Sequence, residues 1–277
     1  MKYSCRYNNN IKDFDNFDEI SLIYINEEVE PLVKFIQEHP NKRIVIHITD
    51  FKKFQEFDQI PLLKALNIKY PEIDLTLCFD YFQEAKHNIS DEIKSFLIQV
   101  VPLKFYFNHK ITTWDALHMY LNLGVSDVII SEQLGFNLQG VRTVCDKYGA
   151  IVRAIPNVAQ SSASAIDALN KFFIRPEDIS YCEKYIDILE FWGPDSKQNT
   201  YCKIYKNKEW FGDISEIIFD LSTPIDNRTI APIWFRERAN CDRRCMKGQK
   251  CNMCYTILSL SKTLHDKNFI IRNDKTI

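Results

Sequence analysis

Short apolar runs alternate with longer amphipathic stretches from about residue 21 to residue 193. The runs are rich in β-branched and aromatic residues, as strands are, and the stretches between them carry apolar residues at helical spacing. Residues 44–46 and 128–130 are apolar at every position, which predicts strands covered on both faces, as in a parallel sheet. The predicted strands are residues 22–26, 43–50, 73–80, 104–108, 127–131, 150–156 and 186–192.

The intervening stretches predict helices that begin and end at capping residues. Thr113 precedes an apolar helical face and fits an N-cap. Gly124 and Gly149 stand where a helix C-cap needs a positive φ before the next strand. The predicted helices are residues 28–38, 60–66, 91–99, 113–123, 134–148 and 163–172.

This succession of strand–helix units predicts an α/β fold, namely a (β/α) TIM-like barrel, complete or distorted. The barrel is expected to cover residues 1–221, because a strand at 201–205 and a helix at 213–221 would complete it. An open doubly wound sheet is the alternative. Residues 222–277 are expected to form a small C-terminal extension, rich in cysteine, that binds metal.

The composition narrows the functional classes. The chain has 277 residues, of which 45% are hydrophobic, and a formal net charge of −2, so a basic surface for nucleic acid has to be local. No apolar stretch is long enough to cross a bilayer, and the absence of a signal core predicts a cytoplasmic protein without membrane partners. Only seven glycines are present, and no glycine-rich phosphate loop occurs.

Four of the nine cysteines crowd near the C-terminus with the spacing C-x3-C-x5-C-x2-C: Cys241, Cys245, Cys251 and Cys254. In a reducing compartment this spacing predicts one centre held by four thiolates, either an iron–sulfur cluster such as 4Fe-4S or one zinc ion. A pair of surface disulfides is the alternative. A basic block surrounds the cysteines and predicts a local patch for a small anionic substrate or RNA: Arg228, Arg236, Arg238, Arg243, Arg244, Lys247 and Lys250.

Polar residues follow the predicted strands, where a barrel binds its ligands. The carboxylates Asp80, Glu132 and Glu190 are candidate catalytic acids and bases. Arg153 is a candidate clamp for an anionic group, and His109, just past a strand, is a further catalytic candidate. The complete set of polar strand-end residues is Asn26, Asp50, Asp80, Asn108, His109, Ser131, Glu132, Arg153, Asn157 and Glu190.

Each candidate also has a structural interpretation. Asp50 and Asp80 fit caps of the helices that follow them, and His109 fits a solvated loop. His47, inside a strand, is interpreted as a hydrogen-bonded histidine of the core or the barrel lumen.

Residues 123–132, LGVSDVIISE, resemble the "GADAVIV" strand of the collagenase-like peptidase U32 family. Residues 172–179 and 185–190 are similar to that family's "SPKDL" and "KIE" passages, and Glu190 falls on the glutamate of the latter. The resemblance covers residues 114–193. It implies a barrel-like fold and, in members that modify RNA bases or a quinone precursor, an oxygen-independent hydroxylation that depends on an iron–sulfur cluster held by four cysteines. Other members are described as peptidases.

The leading hypothesis is therefore a barrel protein that depends on a metal cluster and modifies RNA or a small anionic molecule. A peptidase-like hydrolase with a structural zinc is the second hypothesis. A non-catalytic adaptor, with the C-terminal extension as its binding surface, is the third.

Overall fold

A parallel sheet of nine strands organises the protein. A computed structural model describes residues 1–7, 14–24, 29–49, 63–65, 68–69, 74–80, 95, 100, 103–135, 137–157 and 174–208. The strands are β1 Lys2–Tyr7, β2 Glu19–Tyr24, β3 Arg43–Ile48, β4 Leu75–Asp80, β5 Lys104–Asn108, β6 Lys110–Ile111, β7 Asp127–Ile130, β8 Ile151–Ala154 and β9 Ile188–Phe191.

Helices connect several of these strands. They are α1 Val29–Glu38, α2 Trp114–Asn122, α3 Glu132–Gly135, α4 Leu138–Tyr148, α5 Ile179–Cys182 and α6 Asp195–Lys206, with a 3-10 turn at Pro176–Asp178. Thr113 caps α2 by accepting a hydrogen bond from the N–H of Ala116, as the sequence predicts. In the described part of the chain no helix has the length and apolar character that crossing a lipid bilayer requires.

The strand order is β5-β4-β3-β2-β1-β9-β8-β7-β6, and every pairing is parallel. Only His109 separates β5 from β6, so the two ends of the sheet belong to one stretch of chain. Beside this junction the backbone N–H of Ser126 donates to the carbonyl of Phe105 on β5 at 2.8 Å. The sheet is therefore a nearly closed parallel barrel, and not the open sheet that was the alternative.

Alternate residues of each strand face opposite sides of the barrel wall. The outward residues, for example Cys5, Ile46 and Val128, join one large apolar core. Helix residues such as Leu117 and Val141 belong to the same core. A small separate apolar cluster, which includes Val45 and Tyr106, lies on the inner side. Because the remaining inward residues are mostly polar, the lumen is where polar chemistry collects.

The predicted strands are confirmed within three residues at their ends, and β5 has the predicted bounds. Two strands were not predicted: β1, which has six residues, and β6, which has only two. The predicted helix 134–148 is divided into α3 and α4, with Asn137 capping α4. Most of the predicted helices 60–66 and 91–99, and all of 163–172 and 213–221, lie outside the described residues.

The predicted strand 201–205 is wrong, because these residues belong to α6. Its aromatic and apolar residues suggested a strand over five positions. Over the whole segment, however, the buried residues are Gln198, Tyr201, Cys202, Ile204 and Tyr205, and four of them, Gln198, Tyr201, Cys202 and Tyr205, follow the spacing of one helical face.

Gly149 ends α4 in the left-handed conformation, with φ of 66°, as its position in the sequence predicts. A Cβ placed there would meet no atom within 4 Å, so a substitution costs only backbone strain. We expect Gly149→Ala to lower the free energy of unfolding by about 1 kcal/mol. Gly135→Ala is the matched control, since Gly135 also has open space but no positive φ. Urea denaturation of both variants measures the difference, and equal effects would contradict this assignment.

Candidate active site in the barrel lumen

Two arginines and two carboxylates fill the part of the lumen nearest the amino ends of the strands. Arg43 binds Asp127 through both terminal nitrogens, at 2.9 and 2.8 Å. Arg153 donates from Nε to Asp127 at 2.7 Å and pairs with both oxygens of Glu19. These four side chains are at most 2% exposed. We refer to Glu19, Arg43, Asp127 and Arg153 as the buried ion cluster.

Charge pairing keeps Asp127, Arg43 and Arg153 ionised despite their burial. Burial alone would raise the pKa of Asp127, but the charges of Arg153 and Arg43 and the hydrogen bonds it accepts lower that pKa to about 2. The carboxylates in turn raise the pKa of Arg43 and Arg153 above the ordinary arginine value, against the effect of burial. Arg153 also lies over the ring of Tyr106, 4.5 Å from its centroid.

Glu190 joins the buried ion cluster to a second group nearer the carboxyl ends of the strands. One oxygen of its carboxylate accepts from Arg153 at 3.3 Å. The other accepts from Arg6 at 3.1 Å and from the indole N–H of Trp192 at 2.8 Å. Burial would raise the pKa of Glu190, and the charges of Arg6 and Arg153 lower it below the ordinary value. The carboxylate of Glu190 is therefore ionised, and both of its oxygens already accept hydrogen bonds. This arrangement suits Glu190 to hold Arg6 in place.

A chain of hydrogen bonds runs from Arg6 to His47 across the carboxyl ends of the strands. Nη2 of Arg6 donates to Oδ1 of Asn108 at 2.7 Å, and Nδ2 of Asn108 donates to Oδ1 of Asp80 at 2.8 Å. The same oxygen of Asp80 lies 2.6 Å from Nε2 of His47. These four residues come from β1, β5, β4 and β3. They form one connected unit, which we call the mouth chain.

The pairing of Asp80 and His47 fixes the tautomer of the imidazole. Burial would raise the pKa of Asp80, but hydrogen bonds from His47 and Asn108 and the nearby positive charge lower it, so the carboxyl is ionised at neutral pH. An ionised carboxylate only accepts hydrogen bonds, hence Nε2 of His47 carries the proton. When the ring is neutral, Nδ1 therefore holds a lone pair. Nδ1 is buried and has no hydrogen-bond partner among the described residues.

One edge of the Arg6 guanidinium, at Nε, has no hydrogen-bond acceptor among the described residues of the mouth chain and its surroundings. Both hydrogen bonds of its side chain within the described part start from Nη2, and Nε is buried without an acceptor there. Its guanidinium lies over the ring of Trp192, 4.6 Å from the centroid, and the side chain is 20% exposed. Gln198 of α6 holds the backbone of Arg6 through two hydrogen bonds of 3.0 Å, so the side chain starts from a fixed point.

The structure brings three of the predicted site residues together and separates others. Asp80 and Glu190 lie in or beside the mouth chain, and Arg153 lies below it with its donors already engaged by carboxylates. His109 lies near Tyr120 of α2, on the outer side of the barrel, and burial lowers its pKa. Glu132 is the first residue of α3, and its side chain is not described.

Other predicted residues have structural positions or lie outside the described part. Asn157 exchanges two hydrogen bonds with the backbone of Trp192 and so ties the ends of β8 and β9 together. Ser131 is buried beyond the end of β7. Asn26, Asp50 and the four clustered cysteines, Cys241, Cys245, Cys251 and Cys254, fall outside the described residues.

Sequence reasoning missed Arg6, Glu19 and Arg43 as partners of this site. Arg6 was detectable in principle, because apolar Tyr3 and Cys5 alternate with polar Ser4 and Arg6, the pattern of a strand with one polar face. His47 was interpreted as a hydrogen-bonded lumen histidine, and this placement is confirmed.

The described residues contain no group of three or more histidine, cysteine or acidic side chains arranged to hold a metal ion. The fold and the site define a parallel α/β barrel with a charged lumen and a histidine–aspartate pair at the carboxyl ends of its strands. No protein-family model matches the sequence, and no curated protein matches it significantly. The U32 resemblance therefore stays a prediction from the sequence.

Proposed function

We propose that this protein is a TIM-like barrel enzyme that carries out acid–base chemistry on a small anionic substrate at the carboxyl ends of its strands. The strand count supports the fold class. If β5 and β6 are counted as one strand bent at His109, the nine strands of the sheet become eight, the number in a (β/α) barrel.

The observation that carries the proposal is the orientation of His47 by Asp80. An ionised aspartate fixes the ring with the proton on Nε2 and leaves Nδ1 as a base, which is the arrangement that positions catalytic histidines. His47 removes a proton from the substrate at Nδ1, and Asp80 stabilises the imidazolium that forms. Structural histidines of a core usually have both ring nitrogens paired, because an unpaired buried polar atom is costly.

Arg6 binds the negative group of the substrate in this proposal. Its Nε edge has no acceptor among the described residues, while Glu190, Asn108 and the Trp192 ring hold the rest of the guanidinium. Arg153, the clamp expected from the sequence, is 0% exposed and fully engaged, so its role is to position Glu190.

The proposal is tested by following small anions in a low-molecular-mass extract that is incubated with the purified protein. Mass spectrometry should show that the wild-type protein consumes one anion, and that Arg6→Met and Asp80→Asn each slow its consumption. Lys34→Met is the control, because Lys34 is 78% exposed on α1, away from the lumen. Equal rates in all four proteins would refute the assignment of the site.

A second candidate function, cluster-dependent modification as the U32 resemblance implies, rests on the four C-terminal cysteines. Their chemistry fits one metal centre, since four thiolates are the usual ligands of a 4Fe-4S cluster and of structural zinc. The basic block at residues 228–250 would then bind RNA or direct a small anion to the barrel. An adaptor function would use the same block for a protein partner.

The metal content of the purified protein distinguishes an iron–sulfur cluster from a zinc ion at the four C-terminal cysteines. We expect protein purified without oxygen to contain one centre per chain, either an iron–sulfur cluster absorbing near about 400 nm or a colourless zinc ion. Cys251→Ser should remove that metal, because each centre needs all four thiolates. Cys145→Ser is the matched control: Cys145 is buried in the apolar core, and its loss leaves the metal content unchanged. A metal-free wild-type protein would rule out the C-terminal centre.

A further inference from the structure

Several polar atoms in the lumen are buried without a partner among the described residues: Nδ1 of His47, Nε of Arg6, Oγ of Ser4 and Oγ of Ser131. Ser4, His47 and Ser131 are at most 3% exposed. Leaving such an atom unpaired costs about 1–3 kcal/mol, so their occurrence in one barrel indicates a polar ligand.

The two unpaired nitrogens of the mouth chain require opposite partners. Nε of Arg6 only donates, so it needs an acceptor, and an anionic oxygen is the strongest one. Nδ1 of His47 only accepts when the ring is neutral, because Nε2 then carries the proton directed at Asp80. A simple carboxylate or phosphate has only acceptor oxygens when ionised. It can satisfy Arg6 but not His47.

Both nitrogens belong to one rigid unit. Arg6, Asn108, Asp80 and His47 are joined by contacts of 2.7, 2.8 and 2.6 Å, and Glu190 and Trp192 hold Arg6 from the other side. The donor edge and the acceptor nitrogen therefore keep a fixed relation to each other. A ligand that satisfies both must carry an anionic group and a hydrogen-bond donor in one molecule.

We propose that the substrate of this site is a small hydroxy acid, whose anionic group binds Arg6 and whose hydroxyl donates to Nδ1 of His47. The inference rests on the proposed function and adds the hydroxyl to it. The hydroxyl is the group that His47 deprotonates: the O–H bond breaks, the proton goes to Nδ1, and the electron pair stays on the substrate oxygen as an alkoxide. The reacting centre of the substrate is then the carbon atom that bears this hydroxyl oxygen.

Binding of matched ligand pairs tests this inference. Calorimetry compares malate with succinate, and glycerol 3-phosphate with propyl phosphate, so that each pair differs by hydroxyl groups and the two pairs separate carboxylates from phosphates. We expect the hydroxylated member of one pair to bind at least about tenfold more tightly, the effect of one well-placed hydrogen bond. His47→Phe keeps a planar ring but removes the acceptor, and should abolish this preference while anion binding remains.

A second measurement is made on the wild-type protein. The ¹⁵N chemical shifts of wild-type imidazoles report which ring nitrogen carries the proton, and His47→Phe only serves to assign the signal. A proton on Nδ1 of His47 would overturn the inference. Anion binding that is lost in Arg6→Met but shows no hydroxyl preference would also overturn it and leave the proposed anion site standing. If Arg6→Met changes no anion affinity, the proposed function fails as well.

Discussion

Arg153→Met is expected to lower the free energy of unfolding by about 3–5 kcal/mol, the range for removing one member of a buried ion pair. Arg153 is 0% exposed and neutralises Glu19 and Asp127 together with Arg43. Without it, two buried carboxylates share one guanidinium, and the lost hydrogen bonds leave their oxygens without partners. Methionine retains much of the side-chain volume, so the effect is electrostatic rather than a cavity. Urea denaturation at pH 7 measures it.

The acid dependence of the same variant distinguishes a charge effect from a packing effect. The pKa of Asp127 is lowered from 3.8 to about 2 in the folded protein, so its stabilisation is fully present above pH 3.8 and is lost as the pH falls through about 2. In Arg153→Met the pKa of Asp127 is lowered less, because the charge of Arg153 is absent. The difference in stability between wild type and variant should therefore shrink below about pH 4.

Two controls define the outcome for the buried ion cluster. Lys34→Met removes a 3.9 Å pair with Glu38 between two exposed side chains, and should cost well under about 1 kcal/mol. Glu19→Gln combined with Arg153→Met should recover part of the lost stability, because one orphaned charge is removed. If Arg153→Met alone lowers the free energy of unfolding as little as Lys34→Met does, the buried ion cluster does not stabilise the barrel.

His47→Gln is expected to lower kcat/KM about 10²- to 10⁴-fold for the anion identified as substrate, the usual contribution of a general base. The glutamine side chain can still contact Asp80, so the fold and the anion site persist. Steady-state kinetics on both proteins measures this effect.

His118→Gln is the matched histidine control, since His118 is exposed on α2 outside the barrel wall. It should retain the wild-type rate. Asp80→Asn should reduce kcat more than KM, because it disturbs the orientation of the base and leaves Arg6 in place. A His47→Gln enzyme with the wild-type kcat/KM would show that the base lies elsewhere.

Local pattern was enough to predict most of the described sheet. Periodicity predicted seven of the nine described strands. The apolar runs predicted a mostly parallel sheet, and every described pairing is parallel. The pattern failed where an element was very short, as at β6, or where aromatic residues mimicked a strand, as in α6. Whether a segment forms a helix or a strand depends largely on residues within a few positions of it, and a short stretch of sequence contains that information.

Half of the candidate site was visible as polar residues at strand ends. Asp80 and Glu190 were predicted there, but their partners Arg6 and His47 were not, since one lies on an unpredicted strand and the other was interpreted as structural. Arg153 was predicted to clamp an anionic group because it lies at the end of a predicted strand, where a barrel binds its ligands. Its burial against Glu19 and Asp127 was not predictable, because those residues are 134 and 26 positions away along the chain.

By itself, the sequence determined most of the described strands, the helix caps at Thr113 and Gly149, and the set of charged residues available to the barrel. Only the tertiary structure decided which charges meet. Closing the sheet places β2, β3, β7 and β8 around one lumen, and desolvation there forces each buried charge to find an opposite partner. Period-two alternation specifies the face of a strand but not its place around the barrel, so it could not assign Arg6 and His47 to the same hydrogen-bonded unit.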